Sequence, residues 1–148
     1  MKKYICFLFT MLVCFNTLIA QQKVTDRFIL ENQRQTNWWA GIINHGELMP
    51  LQHGYKANMF GNNYGNQVQP LLLSSDGKYI WSEKPIAISF HEDTLKVESY
   101  GGNIQYSDKN TSLREAYLKA SKTYFPPSGK LPDLDLVRYP QYNTWIEL

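Results

Sequence analysis

Val68-Gln69-Pro70-Leu71-Leu72-Leu73, then Ser74-Ser75-Asp76-Gly77, then Lys78-Tyr79-Ile80-Trp81-Ser82 is the stretch that decides the fold. Two apolar runs of strand length flank an Asp-Gly pair. Glycine takes a positive φ with no Cβ clash, so Asp-Gly between such runs marks a β-hairpin. Working outward, Pro85 opens a run in which Ile86, Ile88 and Phe90 alternate with Ala87, Ser89 and His91. Glu92-Asp93 makes a turn, and Leu95 and Val97 then share one side of the run ending at Tyr100. Side chains of a strand alternate between its faces, so this pattern predicts a meander of about four antiparallel strands with one buried face. Upstream, from Trp38 onward, short apolar runs alternate with turn residues at intervals of about 8–12 positions, again an antiparallel β signal. Residues 21–37 are polar and lack a clear period.

One helix signal follows the strands. Ser112-Leu113-Arg114-Glu115 fits a capping box, in which Ser bonds the free N–H three residues on and Glu reaches back. Leu113, Ala116, Tyr117, Ala120 and Tyr124 fall at helical spacing and give one apolar stripe. Pro126-Pro127 ends it, because proline disfavours helix in the residue before it. The fold class predicted is mainly β: an antiparallel β-sandwich with one helix near residues 112–125. A Pro/Gly/Asp-rich connector runs over 128–135, and Tyr142, Thr144, Ile146 and Leu148 then alternate with Asn143, Trp145 and Glu147 in a second strand pattern.

Composition narrows the function classes. The chain has 148 residues, 43% hydrophobic and 14% aromatic, which excludes intrinsic disorder and leaves room for one core. Of its 15 basic residues, Lys2 and Lys3 lie in the first 20, which hold no acid; the rest carries 13 basic against 13 acidic residues. A fold without a basic surplus has no nucleic-acid surface spread over it. Met1-Lys2-Lys3, an apolar run from Tyr4 to Ala20 and the polar Gln21-Gln22 build a secretory signal peptide over residues 1–20, with cleavage expected after Ala20. A membrane anchor is the rival, but the run is at the lower limit for spanning and Asn16 and Thr17 break it. A lipid anchor on Cys14 is disfavoured by Val13, where a small residue is wanted. The expected compartment is therefore the periplasm or the exterior, with no membrane association after cleavage. Both cysteines, Cys6 and Cys14, lie in the leader, so disulfides, thiolate catalysis and Cys-bound zinc are excluded for the mature chain.

Motifs that carry chemistry are sparse. His45, His53 and His91 show no metal spacing and are read as ordinary polar histidines. Glycosidic cleavage needs two carboxylates facing each other across the bond, and the adjacent Glu92-Asp93 and the connector pair Asp133 and Asp135 are better read as solvated turn acids. More informative is a polar-aromatic set: Trp38-Trp39, Asn44-His45-Gly46-Glu47, Asn62-Asn63-Tyr64-Gly65-Asn66-Gln67, and Trp81. Sugars present apolar ring faces and a rim of hydroxyls, which aromatics and amides match. The plainer alternative makes Trp39 and Trp81 core residues and the Asn-rich segment a simple turn.

Four blocks in one order carry a family resemblance: NHGELMPL (44–51), NQVQPLLLSSDGKYIWS (66–82), SLREAYLKASKTYFPPSGK (112–130) and PQYNTWIEL (140–148). Together they resemble the N-terminal part of bacterial glycoside hydrolase family 31 enzymes, the retaining α-glucosidases and α-xylosidases. The resemblance implies a β-sandwich over 21–132, followed over 133–148 by a linker and the first strand of a truncated (β/α)₈ catalytic barrel. The family's two catalytic aspartates lie on later barrel strands, so no catalytic residue can be assigned here and this chain alone is expected to be inactive. Loops of the family's N-terminal domain approach the barrel mouth, which makes Asn63, Tyr64, Asn66 and Gln67 candidate substrate-binding residues at a pocket rim. The implied partners are an α-linked oligosaccharide and the catalytic barrel; no metal or cofactor is implied. The alternatives are a stand-alone sugar-binding β-sandwich and a structural export-pathway domain with no ligand.

Overall fold

The computed structural model describes residues 24–31, 36–63 and 65–140. Among these, eight strands form two antiparallel four-stranded sheets. The first holds β1 (Asp26–Glu31), β3 (Lys56–Asn58), β6 (Ile86–His91) and β7 (Thr94–Ser99), in the order β1-β7-β6-β3. The second holds β2 (Trp38–Ile42), β4 (Val68–Ser74), β5 (Tyr79–Ser82) and β8 (Ile104–Ser107), in the order β2-β4-β5-β8. A 3₁₀ helix (Ile43–Leu48) follows β2, and α1 (Leu113–Tyr124) and a short α2 (Asp135–Arg138) follow β8. The molecule is mainly β, two sheets with few helices, as the alternation predicts.

The Asp-Gly hairpin forms. Leu71 pairs with Trp81, Leu72 with Ile80 and Leu73 with Tyr79, and Gly77 closes the turn at φ 91°. The inner face of this hairpin meets the first sheet: Trp38, Leu72 and Ile80 face Ile86, Leu95 and Val97, all fully buried. Burial of each such side chain contributes about 1.5–3 kcal/mol, so this interface holds the sheets together. The outer face of the second sheet is covered in part by α1, whose Ala116 and Ala120 sit on Leu71, Tyr79 and Trp81. Two small residues one turn apart let the helix lie close to the sheet. With both faces covered, all four residues of β5 are buried, and its one polar end, Ser82, meets the Ser99 hydroxyl at 3.3 Å.

Four expectations need correction. The strands of residues 68–99 are not one meander: β4–β5 and β6–β7 are separate hairpins, one in each sheet, because the chain crosses from one sheet to the other between Ser82 and Ile86. The segment without a clear period contains β1, which pairs with β7 along its whole length and turns Phe28 and Leu30 toward the core. In the helix, Ser112 Oγ does accept from the Glu115 N–H (3.3 Å), but the Glu115 carboxylate reaches the N–H (2.8 Å) and hydroxyl (2.7 Å) of Thr111 instead of Ser112. Tyr117 also leaves the expected stripe and is 54% exposed, since Ala116, Ala120 and Tyr124 take the contact face. The linker ahead of Tyr139 folds only into α2; the signal peptide and the strand pattern of residues 142–148 lie outside the described residues.

Candidate functional site

Helix α1 covers only part of the outer face of the second sheet, and the uncovered part is a groove of about 780 Å³. Its walls include Trp39 and Gly41 of β2, Gln69 of β4, Trp81 of β5, Gln67 before β4 and Phe125 after α1. The groove follows from a local fault in the β2–β4 ladder. Register jumps from Ala40↔Leu72 to Gly41↔Gln69, so Pro70 and Leu71 have no paired partner on β2. Proline brings no N–H to a ladder and is at home in such a bulge. Gly41 is required there: a Cβ would lie 2.6 Å from the Gln69 carbonyl oxygen and 2.8 Å from the Gln69 Cβ.

The Trp81 side of the aromatic wall is held by ring contacts and a hydrogen bond. Trp81 stacks on Tyr124 (centroids 5.0 Å apart, 23° between planes) and meets Phe125 edge-on at 4.9 Å. The Tyr124 hydroxyl donates to Gln105 Oε1 (2.7 Å), which fixes the tyrosine, and burial together with Tyr79 pushes its pKa up to about 12. Trp38 and Trp39 divide the labour: Trp38 is fully buried between the sheets, while Trp39 lies at the groove, partly exposed.

The four rim candidates separate. Asn63 is used inside its own loop, its Nδ2 donating to the carbonyls of Met59 (3.3 Å) and Gly61 (3.1 Å). The Asn66 N–H donates to the Asn63 carbonyl (2.9 Å), and the Asn66 side chain does not line the groove. Tyr64 lies outside the described residues. Gln67 does reach the groove, and its carbonyl accepts from the Ile43 N–H (3.5 Å), which ties the loop to the 3₁₀ helix. Trp39 and Trp81 were legible as polar-aromatic candidates; Gln69 and Phe125 were not, because the bulge and the helix end that bring them there leave no local pattern.

Two of the three histidines make hydrogen bonds within the fold. His45 Nδ1 bonds the Tyr55 hydroxyl (3.0 Å), whose own pKa burial raises, and His53 Nδ1 accepts from the Glu92 N–H (2.7 Å). Among the described residues no three His, Cys, Asp or Glu side chains form a metal-binding group. Nor do the carboxylates with displaced pKa values suit an acid catalyst, which must hold its proton near neutrality. For Asp76 burial pushes upward, yet hydrogen bonds from Lys78, Ser74 and Thr36 and the Lys78 charge outweigh it, leaving the carboxyl below its ordinary range. Hydrogen bonding to Lys96 lowers Glu98 against some burial, with Arg27 assisting, and hydrogen bonds from Thr111 lower Glu115. All three are anions engaged in structure. The groove itself is lined, among the described residues, by no Asp, Glu, Lys, Arg or His.

No model of a known protein family and no curated protein matches this chain. Among the described residues no helix is long and apolar enough to cross a membrane.

Proposed function

We propose that this β-sandwich is the N-terminal module of an exported retaining α-glycoside hydrolase of the family 31 type, acting on α-glucosides or α-xylosides beside a catalytic barrel. The observation that supports this most is convergence. Three of the four resembling blocks are far apart in sequence yet meet at one groove: Gly46 and Met49 from the first, Gln67 to Pro70 and Trp81 from the second, Phe125 from the third. The blocks also supply core residues, among them Leu51, Leu72, Ile80 and Ala116, and the groove is the surface they have in common. In this reading the sandwich supplies the wall of a sugar-binding cleft, and the barrel supplies the nucleophile and the acid/base. Hydrolysis through an oxocarbenium-like transition state needs that carboxylate pair, which the groove lacks.

The test is immunoprecipitation from cells that make the protein, with antibody raised against the sandwich. Aryl α-glucosidase or α-xylosidase activity should come down with it. Its absence, with the protein itself recovered, would overturn the proposal. A stand-alone sugar-binding sandwich is the second reading, favoured by a groove that sets aromatic side chains beside the two glutamines Gln67 and Gln69.

A further inference from the structure

We infer that the Trp39–Gln69–Trp81 groove is itself a binding site for a short, neutral glycan, holding a pyranose face on its aromatic wall and the hydroxyl rim on Gln67 and Gln69. This rests on the chain being carbohydrate-active, and it goes further by naming where the sugar sits and which sugars are refused.

The size suits a small molecule: about 780 Å³ falls within the range of small-molecule sites. The chemistry of the lining is sharper. Trp39 and Phe125, both solvent-accessible, and the edge of Trp81 offer apolar surface of the kind a pyranose C–H face covers. Gln67 and Gln69 are exposed, two residues apart, and their carboxamides have no hydrogen-bond partner among the described residues. Each offers two N–H donors and a carbonyl acceptor, the complement of vicinal hydroxyls that both give and take. The wall is already ordered by the Trp81–Tyr124 stack and the Tyr124–Gln105 hydrogen bond, so binding loses little freedom there.

The absence of charge along the lining decides between classes of glycan. A uronate, sulfate or phosphate seated in this groove would give up water and meet no lysine, arginine or histidine among the described lining residues. Desolvating an unpaired charge is costly, so acidic sugars are disfavoured and neutral ones favoured; glucosyl and xylosyl units are the neutral sugars that the proposed α-glycosidase role brings in.

The test is a two-dimensional amide NMR titration of the full chain, following the side-chain signals of Gln67 and Gln69 and the indole N–H of Trp39 and Trp81. The probes are maltotriose, a xylosyl-glucose disaccharide and, as the acidic counterpart, glucuronic acid. Saturable shifts in the millimolar range are expected at these signals for at least one neutral sugar, and none for glucuronic acid. Gln69→Ala should weaken binding about tenfold with an unchanged melting temperature. Trp39→Phe is the second variant; it keeps an aromatic face and should retain part of the affinity. Four results would overturn the inference: no saturable shift with either neutral sugar, equal shifts with glucuronic acid, binding unchanged in Gln69→Ala, or groove signals that broaden with protein concentration alone, which would mean a second copy covers the groove. Glycosidase activity in the immunoprecipitate without sugar shifts would remove the groove and leave the hydrolase. Sugar shifts without that activity would do the reverse.

Discussion

Gly77 and its neighbour Asp76 do more than turn a hairpin. At φ 91° a Cβ on Gly77 would stand 2.4 Å from the Asn110 carbonyl oxygen and 2.7 Å from the Ser112 nitrogen, both backbone atoms just ahead of α1. Asn110 Nδ2 also donates to the Gly77 carbonyl (3.0 Å). Gly77→Ala therefore combines a strained φ with a clash that cannot relax locally, and about 2–4 kcal/mol of stability should be lost in urea unfolding; a loss below about 1 kcal/mol would mean the turn shifts freely. Asp76 accepts from Ser74 Oγ (2.6 Å) and Thr36 Oγ1 (3.1 Å) and pairs with Lys78. Its folded pKa is depressed, so its contribution is present above the unfolded value of about 3.9 and is lost as pH falls through the folded one. Asp76→Asn should cost about 1 kcal/mol at neutral pH, with the gap to wild type closing as pH falls below about 4. Melting curves across that range decide it; a constant gap would assign the effect to packing. The sequence announces Asp-Gly as a turn, but not that a helix start 33 residues away closes over it.

Helix α1 and the hairpins were readable because their signals are local: a cap, a stripe, an alternation. Their placement was not. Alternation tells which residues share a face but not which sheet a strand joins, so two hairpins on opposite sheets read as one meander. β1 escaped for a related reason: its six residues include three charged ones, and its order comes from β7, some 70 positions on. The segment after α1 is the converse case. Leu131, Leu134, Leu136, Val137 and Tyr139 are apolar yet between 56% and 88% exposed, and none belongs to either buried cluster. Deleting Asp133 to Leu148 should therefore leave the cooperative melting transition in place and raise solubility, because exposed apolar groups invite association. Loss of cooperative unfolding in the deleted protein would place that segment in the core.

At the scale of the molecule, the two sheets share one buried interface, the second sheet has a partly covered outer face, and the candidate site occupies the uncovered part. Only one rim candidate, Gln67, proved to line it among the described residues. The 62–67 loop was visible as polar and Asn-rich, but Asn63 spends its amide on the loop's own carbonyls, a use indistinguishable in sequence from one directed at a ligand. The groove depends on a register jump at Gly41 and on where α1 stops, both consequences of tertiary packing. Since no carboxylate lines it, the purified chain should release no nitrophenol from aryl α-glucosides or α-xylosides over long incubation. Turnover that persists through repeated purification would direct attention to Glu47, which is exposed on the 3₁₀ helix.

The long exposed run past α1 has a consequence for how the molecule is cut. Every residue from Phe125 to Pro140 is exposed, and the backbone of residues 126–133 belongs to no helix or strand. Proteases bind their substrates extended, and such a stretch can enter a protease cleft while paired strands cannot. Trypsin at low dose should cut first at Lys130-Leu131 and Arg138-Tyr139, and mass spectrometry should find a long-lived fragment ending at Lys130. Early cuts within β4 or β5 would contradict this. Such a fragment keeps every buried side chain of both clusters, the last of them Ala120.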